Sequence, residues 1–323
     1  AYLYWKETGD RNVRRIIPQD DILMNLPFFI CTGATGPYLL SNTIGRNKHL
    51  ITGDVIKQVI DGFEECIKTM SSFGVNIKFT GGETADVGDL VKTAIVDSTV
   101  ACRPKRSEIL EVDIQEDDVI VGFASYGKAT YESEYNSGIG SNGLTSGRHD
   151  LLSHEYFSKY PESFDINTDE EYIYSGEFSL TDKLAGTPLD IGKALLSPTR
   201  TYAPILGKIF DSESLKSQIN GIIHCTGGAQ TKVMKFLDKP LHIIKDNLLE
   251  IPPLFKTIQE TTGTSLKEMF EVFNMGHRLE IYCKKDAAEE LISISKSFGI
   301  DAQVIGRCQP SPSKKLTIQG IEY

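Results

Sequence analysis

The chain has 323 residues, enough for two domains when one core serves about 100–200 residues. It is 40% hydrophobic and 24% charged, as globular proteins are, and its net charge of -10 argues against a general attraction to nucleic acid or anionic membrane. Apolar runs stop well short of the ~18–20 residues of a membrane span. Six scattered cysteines, with neither CxxC nor Cys/His ligand spacing, predict reduced thiols in a cytoplasmic protein.

The opening Ala1-Tyr2-Leu3-Tyr4-Trp5 has no initiator Met and reads as the middle of an element, so upstream residues are expected. Thr52-Gly53-Asp54 begins a helix. Val55, Ile56, Val59, Ile60, Phe63, Cys66, Ile67 and Met70 follow at 3.6-residue spacing, and Gly74 is the stop. Residues 75–79 read as a strand ending in a turn at Thr80-Gly81-Gly82, and residues 90–102 as a second strand. Pro104 and the acidic stretch 111–118 form a polar break, which divides the chain into domains 1–112 and 113–323.

The second half opens with a strand at 119–124 and a polar, glycine- and tyrosine-rich loop at 127–140. A helix is expected at 144–157, then an excursion with little regular structure at 159–188. A helical stretch at 189–210 is interrupted by Pro198 and Pro204. A strand at 221–226, a helix at 230–237, a helix at 266–273 and a strand at 279–283 come next. An amphipathic helix at 286–298 and strands at 302–305 and 316–318 complete the set. Mixed elements in both halves predict two α+β or α/β domains.

No GxxxxGK[ST] segment exists, which excludes a P-loop. The GxGxxG match at 138–143 lies well beyond the preceding strand and is not a dinucleotide fingerprint. Within it, Ser141-Asn142-Gly143 either caps a helix or turns its first amides toward an anion. His224-Cys225-Thr226-Gly227-Gly228 passes from strand to helix, and its glycines admit a ligand close to the backbone. His224 and Cys225 point to opposite faces of a strand and make a poor nucleophile and base, so Cys225 reads as a core residue. Glu83, Asp86 and Asp89 behind Gly81-Gly82 suit magnesium on nucleotide phosphates, or form an acidic surface loop. Arg200, after Ser197-Pro198-Thr199, either clamps a phosphate or is a solvated arginine on a kinked helix. Asp20-Asp21 either bind a cation or cap a helix.

Five segments, in order, resemble the phosphoribosylformylglycinamidine cyclo-ligase (AIR synthetase) family of purine biosynthesis. They are Gly81-Gly82-Glu83-Thr84-Ala85, Ser141-Asn142-Gly143, Leu196-Ser197-Pro198-Thr199-Arg200, His224-Cys225-Thr226-Gly227-Gly228 and Phe273-Asn274-Met275-Gly276. The resemblance covers nearly the whole chain. It implies an α+β protein of two domains, the first a homodimerising, β-barrel-like domain with flanking helices, the second an α/β sandwich. It implies a ligase that uses ATP and Mg2+ to activate the formyl oxygen of formylglycinamidine ribonucleotide. An internal nitrogen then closes the imidazole ring, and ADP and phosphate leave.

The resemblance further implies that Asp20 and Glu83 hold magnesium, with Gly81, Gly82 and Thr84 at the nucleotide. Asn142 and Arg200 would be catalytic. Ser141, Gly143, Thr199, Thr226, Gly227, Gly228 and Asn274 would meet the phosphorylated substrate. The chain departs from the family in several places. The family's Asp-Gly-x-Gly-Thr-Lys segment would fall just before Ala1. A usual Asn-Asp pair reads Pro27-Phe28, which removes an acidic metal contact. His277-Arg278 replace small or apolar residues, and the loops at 127–140 and 159–188 are longer than usual. The alternatives are a selenophosphate synthetase, thiamine-phosphate kinase or hydrogenase-maturation relative, or a non-catalytic one.

Overall fold

The computed structural model describes the backbone of residues 1–323 and every side chain except that of Arg14. Helices α1 (Tyr2–Thr8), α2 (Ile16–Ile30) and α3 (Gly53–Ser72) accompany a first sheet of strands β1 (Tyr38–Arg46), β2 (Ile77–Asp86) and β3 (Ala94–Ala101). The expected periodicity builds α3, which buries Val55, Ile56, Val59, Phe63, Cys66 and Met70. Gly74 stops it at φ 83, a conformation with little cost for a residue without Cβ. Asp20 and Asp21 lie inside α2 rather than capping it. Its prolines obscured that helix in the sequence. Pro18 sits in the first turn, where its missing N–H costs nothing, and Pro27 near the end.

The first sheet corrects two expectations. Its order is β2-β1-β3, with β1 parallel to β2 and antiparallel to β3, and it stays open. The β-barrel-like first domain is therefore not what this chain forms. Three strands lack the girth for closure, which small barrels reach at about eight. Moreover, β2 runs straight through Thr80-Gly81-Gly82-Glu83, where a turn was expected. Leu40 pairs with Phe79 and Asn42 with Gly82, so Thr80 and Gly81 form a bulge, with Gly81 at φ 107. Gly82 has no side chain because the amide of Asn42 occupies that space; a Cβ would stand 1.6 Å from Asn42 Oδ1.

The second sheet contains β4 (Val119–Ala124), β5 (Ile219–His224), β6 (Leu241–Lys245), β7 (His277–Cys283), β8 (Ala302–Pro310), β9 (Lys315–Ile318) and β10 (Ile321–Glu322). Its order is β10-β9-β6-β8-β4-β7-β5, antiparallel except between β6 and β9. One face carries Val121, Phe123, Leu279 and Ile281. It packs on α7 (Ala203–Phe210) and α11 (Ala288–Ser297) and continues into the core of the first sheet. The other carries Ile120, Ile243, Tyr282 and Ile305 beneath α9 (Pro253–Thr262) and α10 (Leu266–Val272). Burial on both faces makes these strands nearly all apolar.

Two expected helices are shorter than their patterns. The 144–157 helix divides into α4 (Leu144–Leu151) and α5 (Glu155–Lys159). The 189–210 stretch leaves only α6 (Ile191–Leu195) and α7, because Pro198 forces an extended link between them. The excursion carries short helical turns at 161–163 and 170–172 and isolated bridges at Gly176, Phe178 and Lys183, little regular structure, as expected. It is nonetheless anchored, since Tyr160, Phe164 and Tyr174 enter the core and α1 binds it through Tyr2 with Glu162 and Glu7 with Tyr160. Tyr4 donates to Asp190 at 2.8 Å, so α1 packs against the second half of the chain. Among the described residues no helix is long and apolar enough to cross a membrane.

Candidate active site

Four segments meet at one end of the second sheet. The loop 125–143 leaves β4, the loop 225–228 leaves β5, the turn 274–276 enters β7, and the link 196–202 joins α6 to α7. Helix α2 closes the cluster. Asp20 Oδ1 accepts from the Thr199 amide at 2.7 Å, and Thr199 Oγ1 accepts from the Ser141 amide at 3.2 Å. Ser141 Oγ lies 3.2 Å from Met24 Sδ. Asn274 Nδ2 donates to Gly138 O at 2.8 Å, while its Oδ1 accepts from Ser125 Oγ and the Gly276 amide. Asp20, Ser141, Thr199 and Asn274 therefore belong to one largely buried, hydrogen-bonded cluster. Asn142 stands half-buried beside them, and Gly143 begins α4 at φ 76. Gly143 admits Phe273, whose ring would lie 2.4 Å from a Cβ.

Arg200 is in this cluster but has no donor to spare. Its Nε and Nη2 grip the carboxylate of Glu132, and Nη1 and Nη2 also donate to Ala124 O, Tyr126 O and Gly127 O. A buried guanidinium with five acceptors holds the 125–143 loop; it is not a free phosphate clamp.

The turn after β5 keeps its strand-end position. Gly227 faces open space within 4 Å, and Gly228 takes φ 88. The helix behind it is a seven-residue 3-10 helix, Ala229–Lys235, rather than the expected α-helix at 230–237. Too short for a useful macrodipole, it offers a side-chain cation instead: Lys232 Nζ donates to Thr226 Oγ1. Burial lowers the Lys232 pKa, and its ammonium lies 5.8 Å from the ring of Phe28. Cys225 is 1% exposed, and burial pushes its thiol far up, so it stays an inert core residue. His224 is also buried, and burial followed by the charges of Arg278 and Lys232 keeps its imidazole neutral.

The first glycine segment stands apart. Thr43 pairs with Glu83 on one side and Asp97 on the other, a row on the exposed face of the first sheet. Asn42, Gly82 and Ser98 form the next row, and Ser98 donates to Asp21 of α2 on the covered face. Alternation thus puts Glu83 and Asp20 on opposite sides of the sheet, and Thr84 is exposed in an outer strand. Within one chain the two carboxylates are not brought together. Among the described residues no group of three or more His, Cys, Asp or Glu side chains could hold a metal.

Sequence reasoning missed Lys232, Arg278 and the charged cluster beneath the cleft. Lys245 Nζ donates to Glu280 and to Gln230 O. Glu280 also meets His277 Nε2 at 2.9 Å and Tyr282 Oη at 2.7 Å. Gln230 Nε2 donates to the carbonyls of Asn274 and His277, tying the 3-10 helix to the β7 turn. Charged residues within the apolar strands β6 and β7 were the available signal, because buried charges must be paired.

Residues 115–319 match the family described as AIR synthase related protein, C-terminal domain. The phosphoribosylformylglycinamidine cyclo-ligase of Methanococcus vannielii is 33% identical over 295 residues, 91% of this chain and 71% of that protein. The enzyme of the same name from Methanocaldococcus jannaschii is 33% identical over 290 residues, 89% and 70% of the two chains. Among solved structures, a hydrogenase maturation protein of E. coli matches with a TM-score of 0.57 at 14% identity, covering 94% of this chain and 78% of that one. Thiamine monophosphate kinase from Aquifex aeolicus matches with a TM-score of 0.55 at 11% identity, covering 96% and 83%. These two likenesses concern the fold alone.

Proposed function

This chain belongs to the phosphoribosylformylglycinamidine cyclo-ligase family, and on that premise we propose that it closes the imidazole ring of a purine precursor at the expense of ATP. The observation that carries the reading is the meeting of Asp20, Ser141, Thr199, Thr226 and Asn274, from four loops and α2, at one end of the second sheet. The substrate is formylglycinamidine ribonucleotide. Its formyl oxygen attacks the terminal phosphorus of ATP, and ADP leaves. The amidine-side nitrogen then adds to the activated carbon, a proton is lost, and phosphate departs with the former formyl oxygen.

The chain's own residues meet the demands of that sequence. Thr226-Gly227-Gly228 with Lys232 receives a phosphate, since backbone amides and a half-buried ammonium compensate its charge. Ser141, Asn142 and Gly143 line the cleft, and Thr199 is oriented by Asp20. Arg200 and Asn274 position loops in this reading and leave the substrate to their neighbours. Magnesium fits in one respect. Asp20 uses Oδ1 for Thr199 and keeps Oδ2 without a partner among the described residues, and magnesium takes one or two carboxylates with phosphate oxygens and water. When bound, it would neutralise charge on the transferred phosphoryl group.

The division into units 1–112 and 113–323 belongs to this reading, as does action in the cytoplasm. So does a homodimer formed on the open face of the first sheet, where Leu39 and Ile95 are about half exposed. Glu83 on that face would approach nucleotide only beside the second copy. The deciding assay measures ADP release from Mg-ATP by the purified chain. Release that requires formylglycinamidine ribonucleotide, and not selenide or thiamine phosphate, supports the reading; its absence ends it.

A further inference from the structure

Buried polar atoms without a partner are rare, because each loses its bonds to water and gains none. Among the described residues five side-chain atoms are in that state: Arg148 Nε, both ring nitrogens of His224, His277 Nδ1 and Arg278 Nη1. Four of them belong to the ends of β5 and β7 that carry the two turns of the cleft. Arg278 is the most demanding, since it brings a full charge to 1% exposure. Its Nη2 donates to Gly138 O and Ile139 O at 3.2 and 2.6 Å, and no described carboxylate lies within 4.0 Å. Arg200 shows what a satisfied buried guanidinium looks like in the same protein, with Glu132 and three carbonyls around it.

The backbone explains where Arg278 points. Phe123 of β4 pairs with Leu279 and Ala124 with His277, which leaves Arg278 as the extra residue of a bulge. A bulge re-aims its side chain. The guanidinium consequently lies under Gly140, where a Cβ would be 2.5 Å from Nη2 and 2.8 Å from Thr199 Oγ1. Thr199 is the residue that Asp20 orients. The Tyr202 ring lies 6.5 Å from that of His224. The Cys225 amide donates to Arg278 O at 2.6 Å, which couples the bulge to the Thr226-Gly227-Gly228 turn.

We propose that Arg278 is a direct ligand for a phosphoryl group of the substrates, bound between Gly140, Thr199 and the Thr226-Gly227-Gly228 turn, with His224 as a second hydrogen-bonding group. The proposal rests on the reading of this cleft as the cyclo-ligase site and names a residue that the family resemblance does not supply. A phosphoryl oxygen offers what the site lacks, a negative charge and lone pairs in the guanidinium plane. Nη1 is buried, and Nη2 is held by the carbonyls of Gly138 and Ile139, so the ligand reaches the guanidinium when loop 138–143 moves aside. Two groups share this chemistry, the 5′-phosphate of the ribonucleotide and the terminal phosphate of ATP.

Thermal unfolding of the full chain in phosphate against chloride, at equal ionic strength, is the first test. Phosphate should raise the wild-type midpoint, and Arg278→Met should lose that response. A wild type indifferent to phosphate, or a folded Arg278→Met that keeps the response, overturns the proposal. Arg278→Lys retains a charge without the planar fork and should keep only part of it. In steady-state assays Arg278→Met should raise one KM on the order of tenfold, with a smaller effect on kcat. The affected KM is that of the ribonucleotide if its 5′-phosphate is the ligand, and that of ATP if the terminal phosphate is. Both KM values unchanged in a folded variant overturn the proposal. Should the wild type turn over no ribonucleotide at all, the activity reading fails, and the phosphate arm still decides the role of Arg278.

Discussion

Lys245 and Glu280 form an ion pair across two intervening strands, and neither side chain has any exposure to solvent. Lys245 is in β6 and Glu280 in β7, with β8 and β4 between them. The paired positions on the intervening strands are Gly306, opposite Lys245, and Gly122, opposite Glu280, and the side chain of Ile305 fills the space over Gly122. The pair lies beneath the 3-10 helix that follows the Thr226-Gly227-Gly228 turn, and Lys245 also holds Gln230 O at 2.7 Å. Charge inside the second core thereby supports the phosphate turn from below.

Removing one partner of a dry ion pair strands the other. Glu280→Gln should therefore cost about 3–5 kcal/mol in denaturant unfolding. Burial alone would raise the Glu280 pKa, but the charge of Lys245 and the bond from His277 override it and hold the carboxyl down to about 2, against an ordinary 4.5. A depressed carboxylate contributes stability that is complete above pH 4.5 and drains away as the pH falls toward 2. The gap between wild type and Glu280→Gln should narrow over that window. A gap that is constant from pH 6 to pH 3 contradicts the assignment.

Gln230→Leu should weaken the cleft without touching a ligand. It removes the donor to the Asn274 and His277 carbonyls and leaves both buried. The expected loss is about 1–3 kcal/mol of stability, with KM for the phosphorylated substrate raised more than kcat is lowered. Unfolding and steady-state kinetics on the same variant check both. Unaltered KM would mean that the 3-10 helix and the β7 turn are not coupled through Gln230.

Arg200→Met should be the most disruptive change at the cleft. It leaves Glu132 as a buried, uncompensated carboxylate and frees the carbonyls of Ala124, Tyr126 and Gly127. About 3–5 kcal/mol is expected to be lost. The double variant Arg200→Met/Glu132→Met should recover part of it, because no charge remains unpaired. A double variant no more stable than the single one would show that the carbonyl bonds, not the ion pair, dominate.

Gly140→Ala probes the seat of Arg278. Alanine at φ 56 is strained, and its Cβ would press on Arg278 Nη2 and Thr199 Oγ1. Stability should fall by about 1–3 kcal/mol, and phosphate should no longer raise the unfolding midpoint. A thermal series in phosphate reads both effects. An alanine variant that responds to phosphate as the wild type does would free Gly140 from the site.

Much of this protein was legible in short stretches of sequence. The periodicity of α3, the strand preceding Thr226-Gly227-Gly228 and the helix opened by Gly143 each depend on neighbours a few residues apart. Family order and spacing grouped those pieces, and the fold brings Ser141, Thr199, Thr226 and Asn274, though not Glu83, to one end of the second sheet. Tertiary structure alone decided the rest, because pairing partners far apart in the chain set it. The glycines at 81 and 82 have the composition of a turn, yet Asn42 and its strand draw them into a bulged ladder. Arg200 has the composition of a phosphate clamp, yet Glu132 and three carbonyls use all its donors. In the sequence Arg278 is marked only as a charge within an apolar strand. The register of β7 against β4 makes it the extra residue of a bulge and sets a buried charge against the loop 138–140, and register belongs to the whole sheet rather than to any one segment.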